Sequence, residues 1–162
     1  MKHNHVKGLE PNDTIIKGDL DGKSYKISIV VASFNGDIAQ GLLEGALKAL
    51  DECGTTDIKI IETDGAFEIP LIAKQCANFS DAVVCLGAVI KGDTAHFDHV
   101  SHECARGIQD VMIETGKPII FGVLTTYTDF QAKERSLPDS FNEGYEAANT
   151  AISMCSLLKQ LV

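Results

Sequence analysis

A chain of 162 residues, 44% apolar and 23% charged, is long enough to bury a sizeable core and short enough to form one domain. Its net charge of −9 argues against the basic face that non-specific nucleic-acid binding needs, while an anionic small substrate stays open because backbone N–H groups and one arginine can hold it. No apolar run has the length of a membrane span and Met1 to Gly8 lack the apolar block of a secretory signal, so a cytoplasmic protein without a membrane partner is expected.

Residues 1–14 are polar and contain Pro11-Asn12-Asp13; they read as a flexible N-terminal arm with solvated His3 and His5, ahead of a single α/β domain over 15–162. Residues 15–20 have some strand character before the turn at Asp21-Gly22-Lys23. Residues 26–32 are β-branched and nearly continuously apolar, as in a strand covered on both faces. The loop Ser33-Phe34-Asn35-Gly36 follows. Leu42, Ala46, Ala49, Leu50 and Cys53 then keep helical spacing over 37–53, with Gly54 as a stop.

A second strand is expected over 57–63, with a turn at Asp64-Gly65. Ala66-Phe67-Glu68-Ile69-Pro70 opens the next helix, which tolerates Pro70 in its first turn and presents Ile69, Ile72, Ala73 and Cys76 on one face. The third strand covers 82–86 and runs into a polar loop that Gly87 and Gly92 bracket. A helix over 98–115 carries Val100, Cys104, Ile108 and Val111 and stops at Gly116. The fourth strand covers 119–124, a polar loop 125–129, a short helix 131–135, and the last helix 142–160.

Alternating strands and helices predict a parallel sheet of four strands with helices on both faces, a three-layer, flavodoxin-like sandwich. Loops that follow its strands share one edge, where open α/β sheets bind ligands. None of the five cysteines forms a C-x-x-C pair, and each stands at an apolar position, so buried reduced thiols are expected. His96, His99 and His102 step by three and drift around a helix; no metal site is expected, and His99 and His102 read as surface residues.

Four motifs stand in order: Ser33-Phe34-Asn35; Gly65-Ala66-Phe67-Glu68-Ile69-Pro70; the stretch from Gly87 through Lys91-Gly92-Asp93-Thr94-Ala95-His96 to Phe97; and Ile120 to Thr126 with Gln131-Ala132 and Glu134-Arg135 behind it. Together they resemble the 6,7-dimethyl-8-ribityllumazine synthase family over nearly the whole of residues 15–160. The resemblance implies condensation of 5-amino-6-(D-ribitylamino)uracil with 3,4-dihydroxy-2-butanone 4-phosphate, the penultimate step of riboflavin synthesis. It implies no cofactor and no metal. It further implies pentamers with active sites between neighbouring subunits, sixty-subunit shells in some members, and riboflavin synthase as a candidate partner.

By the same resemblance His96 moves protons, which imidazole does best near neutral pH. Phe34 stacks on the pyrimidinedione, and Phe121 closes the pocket from the neighbouring subunit. Ala66, Phe67 and Glu68 take the ribityl side, and Ala88, Val89 and Ile90 offer backbone groups to the heterocycle edge. Asp93 (through its main chain) and Thr94 hold the butanone phosphate ahead of a helix, and Arg135 clamps it. Each has a plainer reading: a capping histidine, core phenylalanines, first-turn carboxylates, a solvated arginine.

The chain departs from the family in three places. Glu143 stands where a lysine near the active site is usual, Asp139 where a second basic residue is common, and Asp64 where a proline is usual. The expectation is an active enzyme with weaker binding of the butanone phosphate. The competing functions are a catalytically weak shell-forming or flavin- or lumazine-binding relative and, on sheet order alone, a flavin-binding module.

Overall fold

A computed structural model describes residues 13–162. Most of the N-terminal arm, with His3 and His5, lies outside the described residues. The strands are β1 (Lys26–Ala32), β2 (Asp57–Thr63), β3 (Ala82–Ile90) and β4 (Ile119–Thr126). The helices are α1 (Gly36–Glu52), α2 (Ile69–Cys76), α3 (His96–Thr115), α4 (Asp129–Glu134) and α5 (Glu143–Gln160).

All strand pairs are parallel, in the order β2-β1-β3-β4. From β1 the chain crosses outward to β2, then back over β1 to β3 and on to β4. A constant crossover hand then puts helices on opposite faces. The two cores follow from this reversal. Ile27, Ile29, Val84 and Leu86 pack on one side against Leu42, Ala46 and Leu50 of α1 and Ala148 and Ile152 of α5. Val30, Val83, Cys85 and Ile119 pack on the other against Ile69 and Ala73 of α2 and Cys104 and Ile108 of α3. The alternation of β1 and β3 between two buried faces explains their unbroken apolar sequences.

The parallel sheet with helices on both faces is as expected, and several boundaries are not. Residues 15–20 form no strand. They run against α5, where Asp19 N donates to Ser156 Oγ at 3.1 Å and Gln160 Nε2 donates to Lys17 O at 2.7 Å. Strand β3 does not stop at Leu86. It continues through Gly87 to Ile90 because β4 itself runs on to Thr126 and pairs with it, Gly87 with Val123 and Ile90 with Thr126. Helix α3 begins at His96, two residues early, and α4 ends at Glu134. A 3-10 turn over Ala66–Glu68 precedes α2, so Pro70 falls in the first turn of the α-helix proper, where its missing N–H costs nothing. The five cysteines are free and buried.

Candidate active site

Strand order reverses between β1 and β3, and the carboxyl edge at such a switch point is where a crevice opens. A cavity of about 650 Å³ lies there. Phe34 and Asn35 from the end of β1, residues 65–68 after β2, and residues 88–90 of β3 line it, with Gly92, Thr94 and His96 beyond them. Segments from three adjacent strands therefore converge, although they span more than sixty positions of chain from Phe34 to His96.

Each contributor is held by its own local bonds. Ser33 N donates to Thr63 O at 2.8 Å and Ser33 Oγ to Asp64 O at 3.2 Å, joining the loops after β1 and β2. Thr63 Oγ1 donates to Gly65 O at 3.1 Å and shapes the turn into the 3-10 segment. Asn35 Nδ2 donates to Ala88 O at 2.9 Å, joining the loop after β1 to the end of β3. Lys91 N donates to Thr126 O at 2.9 Å, carrying the β3–β4 contact one residue past the strands.

The resulting surfaces differ in kind. Phe34 is 72% exposed, far more than a core phenylalanine, and presents its ring to the cavity. Such exposed aromatic area is suited to stacking on a flat ring. Phe67 is exposed as well, while Ala66 and Ala88 are buried and leave mainly backbone at the wall. Glu68 and His96 are both exposed, placing a carboxylate and an imidazole within one water-accessible crevice. His96 opens α3, whose N-terminal end carries a partial positive charge, an environment that favours an anion. His96 N is 3.4 Å from Thr94 Oγ1.

The structure thus brings together Phe34, Ala66, Phe67, Glu68, Ala88, Val89, Ile90, Thr94 and His96. Asp93 belongs to the same loop but does not line the cavity. Phe121 and Arg135 are elsewhere. They line a second cavity of about 960 Å³ between β4, the end of α4 and the start of α5, and the two linings share no residue. Arg135, expected to clamp the phosphate beside Asp93 and Thr94, is not in the lining that holds Thr94 and His96; Phe121, expected to reach the pocket from the neighbouring subunit, is not in it either. Phe121 sits inside β4 beside Cys85, three residues back from Ala88 along β3 and so about 10 Å from that level.

In the second cavity Arg135 Nη1 donates to Gln131 O at 2.8 Å. Glu143 N donates to Arg135 O at 2.9 Å, which brings the first residue of α5 beside the arginine. Glu134, Asp139 and Glu146 also line it, so one guanidinium faces four carboxylates.

Six lining residues, Asn35, Gly65, Gly92, Phe97, His99 and Val100, have no site role in the sequence reading. Asn35 was visible only as part of a motif. His99 is exposed, as expected of a surface residue, yet it reaches the cavity wall together with Val100, because one turn of α3 forms that wall. Among the described residues no cluster of three or more histidine, cysteine or carboxylate side chains is arranged to hold a metal ion. Among them, too, no helix is long and apolar enough to cross a membrane.

The model of the 6,7-dimethyl-8-ribityllumazine synthase family matches residues 24–159. A relative from Syntrophus aciditrophicus (strain SB), named 6,7-dimethyl-8-ribityllumazine synthase, is 47% identical over 152 residues, which cover 91% of this chain and 99% of the relative. The family match spans all four strands, both cavities and all but the last residue of α5, and the chain belongs to the 6,7-dimethyl-8-ribityllumazine synthase family.

Proposed function

We propose that the protein condenses 5-amino-6-(D-ribitylamino)uracil with 3,4-dihydroxy-2-butanone 4-phosphate to give 6,7-dimethyl-8-ribityllumazine, phosphate and water. The observation that carries this reading is the crevice at the β1/β3 switch point, where an exposed aromatic ring, a backbone-rich wall, a helix start and an imidazole converge. Phe34 stacks on the pyrimidinedione and the backbone of residues 88–90 reads its edge. Residues 66–68 take the ribityl chain, with Glu68 accepting from its hydroxyls. The loop of Asp93 and Thr94 at the start of α3 receives the phosphate.

The chemistry asks little more of the chain. The amine adds to the ketone and loses water to form an imine. Phosphate then leaves by elimination, and the second amine adds to the ketone that the resulting enol becomes and loses a second water to close the ring. Each step moves a proton at the reacting centre, and His96 is the group in the crevice suited to take and return it near neutral pH. Arg135 and Phe121 complete the site from the neighbouring subunit of a cytoplasmic homo-oligomer, a pentamer or a larger shell. The family match and the reaction it carries leave the binding-only readings without a specific observation in their favour.

Mixing the two substrates with purified protein and following lumazine absorbance together with phosphate release tests the proposal. Turnover is expected, and its absence overturns it. In the same assay His96→Ala is expected to lower kcat about 100-fold while changing the pyrimidine KM far less, since it removes a proton-transfer group and little contact surface. An unchanged kcat removes His96 from the mechanism.

A further inference from the structure

The backbone of Asn35 is the only one among the described non-glycine residues with positive φ (φ 61°, ψ 51°). It is the N-cap of α1, yet its side chain makes no capping bond. The first-turn amides of Ile38 and Ala39 instead donate to its own carbonyl, at 3.0 and 3.1 Å. An asparagine that merely starts a helix takes an extended backbone and lets its side-chain oxygen accept from the first turn. Here the left-handed backbone, a conformation that non-glycine residues adopt only at a cost, turns the amide away from the helix.

The amide meets Ala88 O at 2.9 Å across 53 positions of chain. The last ladder pair between β1 and β3 is Val31 with Leu86. Ala88 therefore lies past the end of β1, and Asn35 occupies the place of the missing strand. The atom it holds belongs to a residue of the cavity wall, and the residue before Asn35 is Phe34, which lines the same cavity.

We propose that Asn35 is a positioning residue that sets the gap between the Phe34 ring and the backbone edge of residues 88–90, and with it the fit of the flat heterocycle. This inference rests on the assignment of that gap to the pyrimidinedione. Two substitutions separate the amide from the backbone. Asn35→Gly keeps the left-handed conformation and deletes the amide. Asn35→Asp keeps the shape and replaces the donor by a carboxylate that faces the Ala88 carbonyl.

The test is fluorescence titration with 6,7-dimethyl-8-ribityllumazine itself, beside steady-state kinetics in both substrates, light scattering and thermal unfolding. Loss of one hydrogen bond that sets the gap is expected to raise the lumazine Kd and the pyrimidine KM about tenfold in both variants and to leave the butanone phosphate KM within about twofold. The assembly size is expected to stay that of the wild type. A wild-type lumazine Kd in Asn35→Gly overturns the proposal. So does an equal rise of both KM values with a lowered thermal midpoint, which marks general loosening. Should the wild type bind lumazine without turning substrates over, the reaction assigned above fails, and the Kd comparison still decides the role of Asn35.

Discussion

Arg135 lies in a cavity whose charge works against a phosphate. Glu143, held next to it by the bond from its own amide to Arg135 O, adds a negative charge. A carboxylate several ångströms from a partly solvated phosphate costs on the order of 1 kcal/mol. Glu143→Lys removes that repulsion and adds attraction, so the butanone phosphate KM is expected to fall roughly tenfold with the pyrimidine KM unchanged. Steady-state kinetics in each substrate checks this, and a constant or higher phosphate KM refutes it. The cysteines carry a separate prediction. Burial pushes the Cys104 and Cys155 thiols from 9.0 up to about 12 and Cys85 well above 9.0. Between pH 9 and 12 the unfolded chain releases these protons and the folded chain keeps them. The unfolded state then binds fewer protons, so stability is complete below pH 9 and falls as pH rises through that window. Cys104→Ala, with no thiol to ionise, is expected to be less stable than wild type at neutral pH by about 1 kcal/mol and to close that gap as pH rises through the window. Urea unfolding at several pH values measures the gap, and a constant gap contradicts the argument.

Helices α1 and α5 approach so closely that glycine is required between them. A Cβ on Gly144 would sit 1.9 Å from Leu42 O, a backbone atom with no rotamer to escape into. Gly144→Ala is expected to cost about 3 kcal/mol in urea unfolding, the upper range for overpacking. Gly36, at the exposed start of α1, has nothing within 4 Å of such a Cβ, and Gly36→Ala is expected to gain about 0.5 kcal/mol. Similar midpoints for the two variants would sink the distinction. The same contact shows what was legible at this scale. Helical spacing marked α1 and α5 in the sequence because their buried stripes repeat locally, and the apolar runs marked β1 and β3. The extent of β3 was hidden. Gly87 looked like a turn residue, but in the strand its bare Cα sits where a Cβ would come within 3.2 Å of the Ala32 Cβ, so it is a packing glycine. Residues 15–20 looked like a strand from their isoleucines, and only tertiary hydrogen bonds to Ser156 and Gln160 explain why they follow α5.

At the scale of the molecule, the candidate residues that come together are those at the carboxyl end of a strand or within a few positions past it, because the sheet carries them to one edge. Phe34, residues 66–68, residues 88–90, Thr94 and His96 are of this kind. Arg135 and Phe121 are different. The first ends α4 and the second sits within an edge strand, so their places depend on how β4 and α5 pack, and the structure puts both in a cavity that shares no residue with the one holding His96. On the reading proposed above, His96 and Arg135 meet from two copies of the chain, as in a head-to-tail contact. Mixing makes this decidable. His96→Ala subunits retain Arg135, and Arg135→Ala subunits retain His96. Each variant alone is expected to show little turnover. Co-assembled at equal amounts, the two place an intact His96 against an intact Arg135 at about one contact in four if neighbours mix at random. Roughly a quarter of wild-type activity should then return on co-expression or on refolding the mixture, and none on mixing assembled rings that do not exchange. Activity that stays at the level of the separate variants, in particles shown by mass spectrometry to contain both, means that each site is complete within one chain.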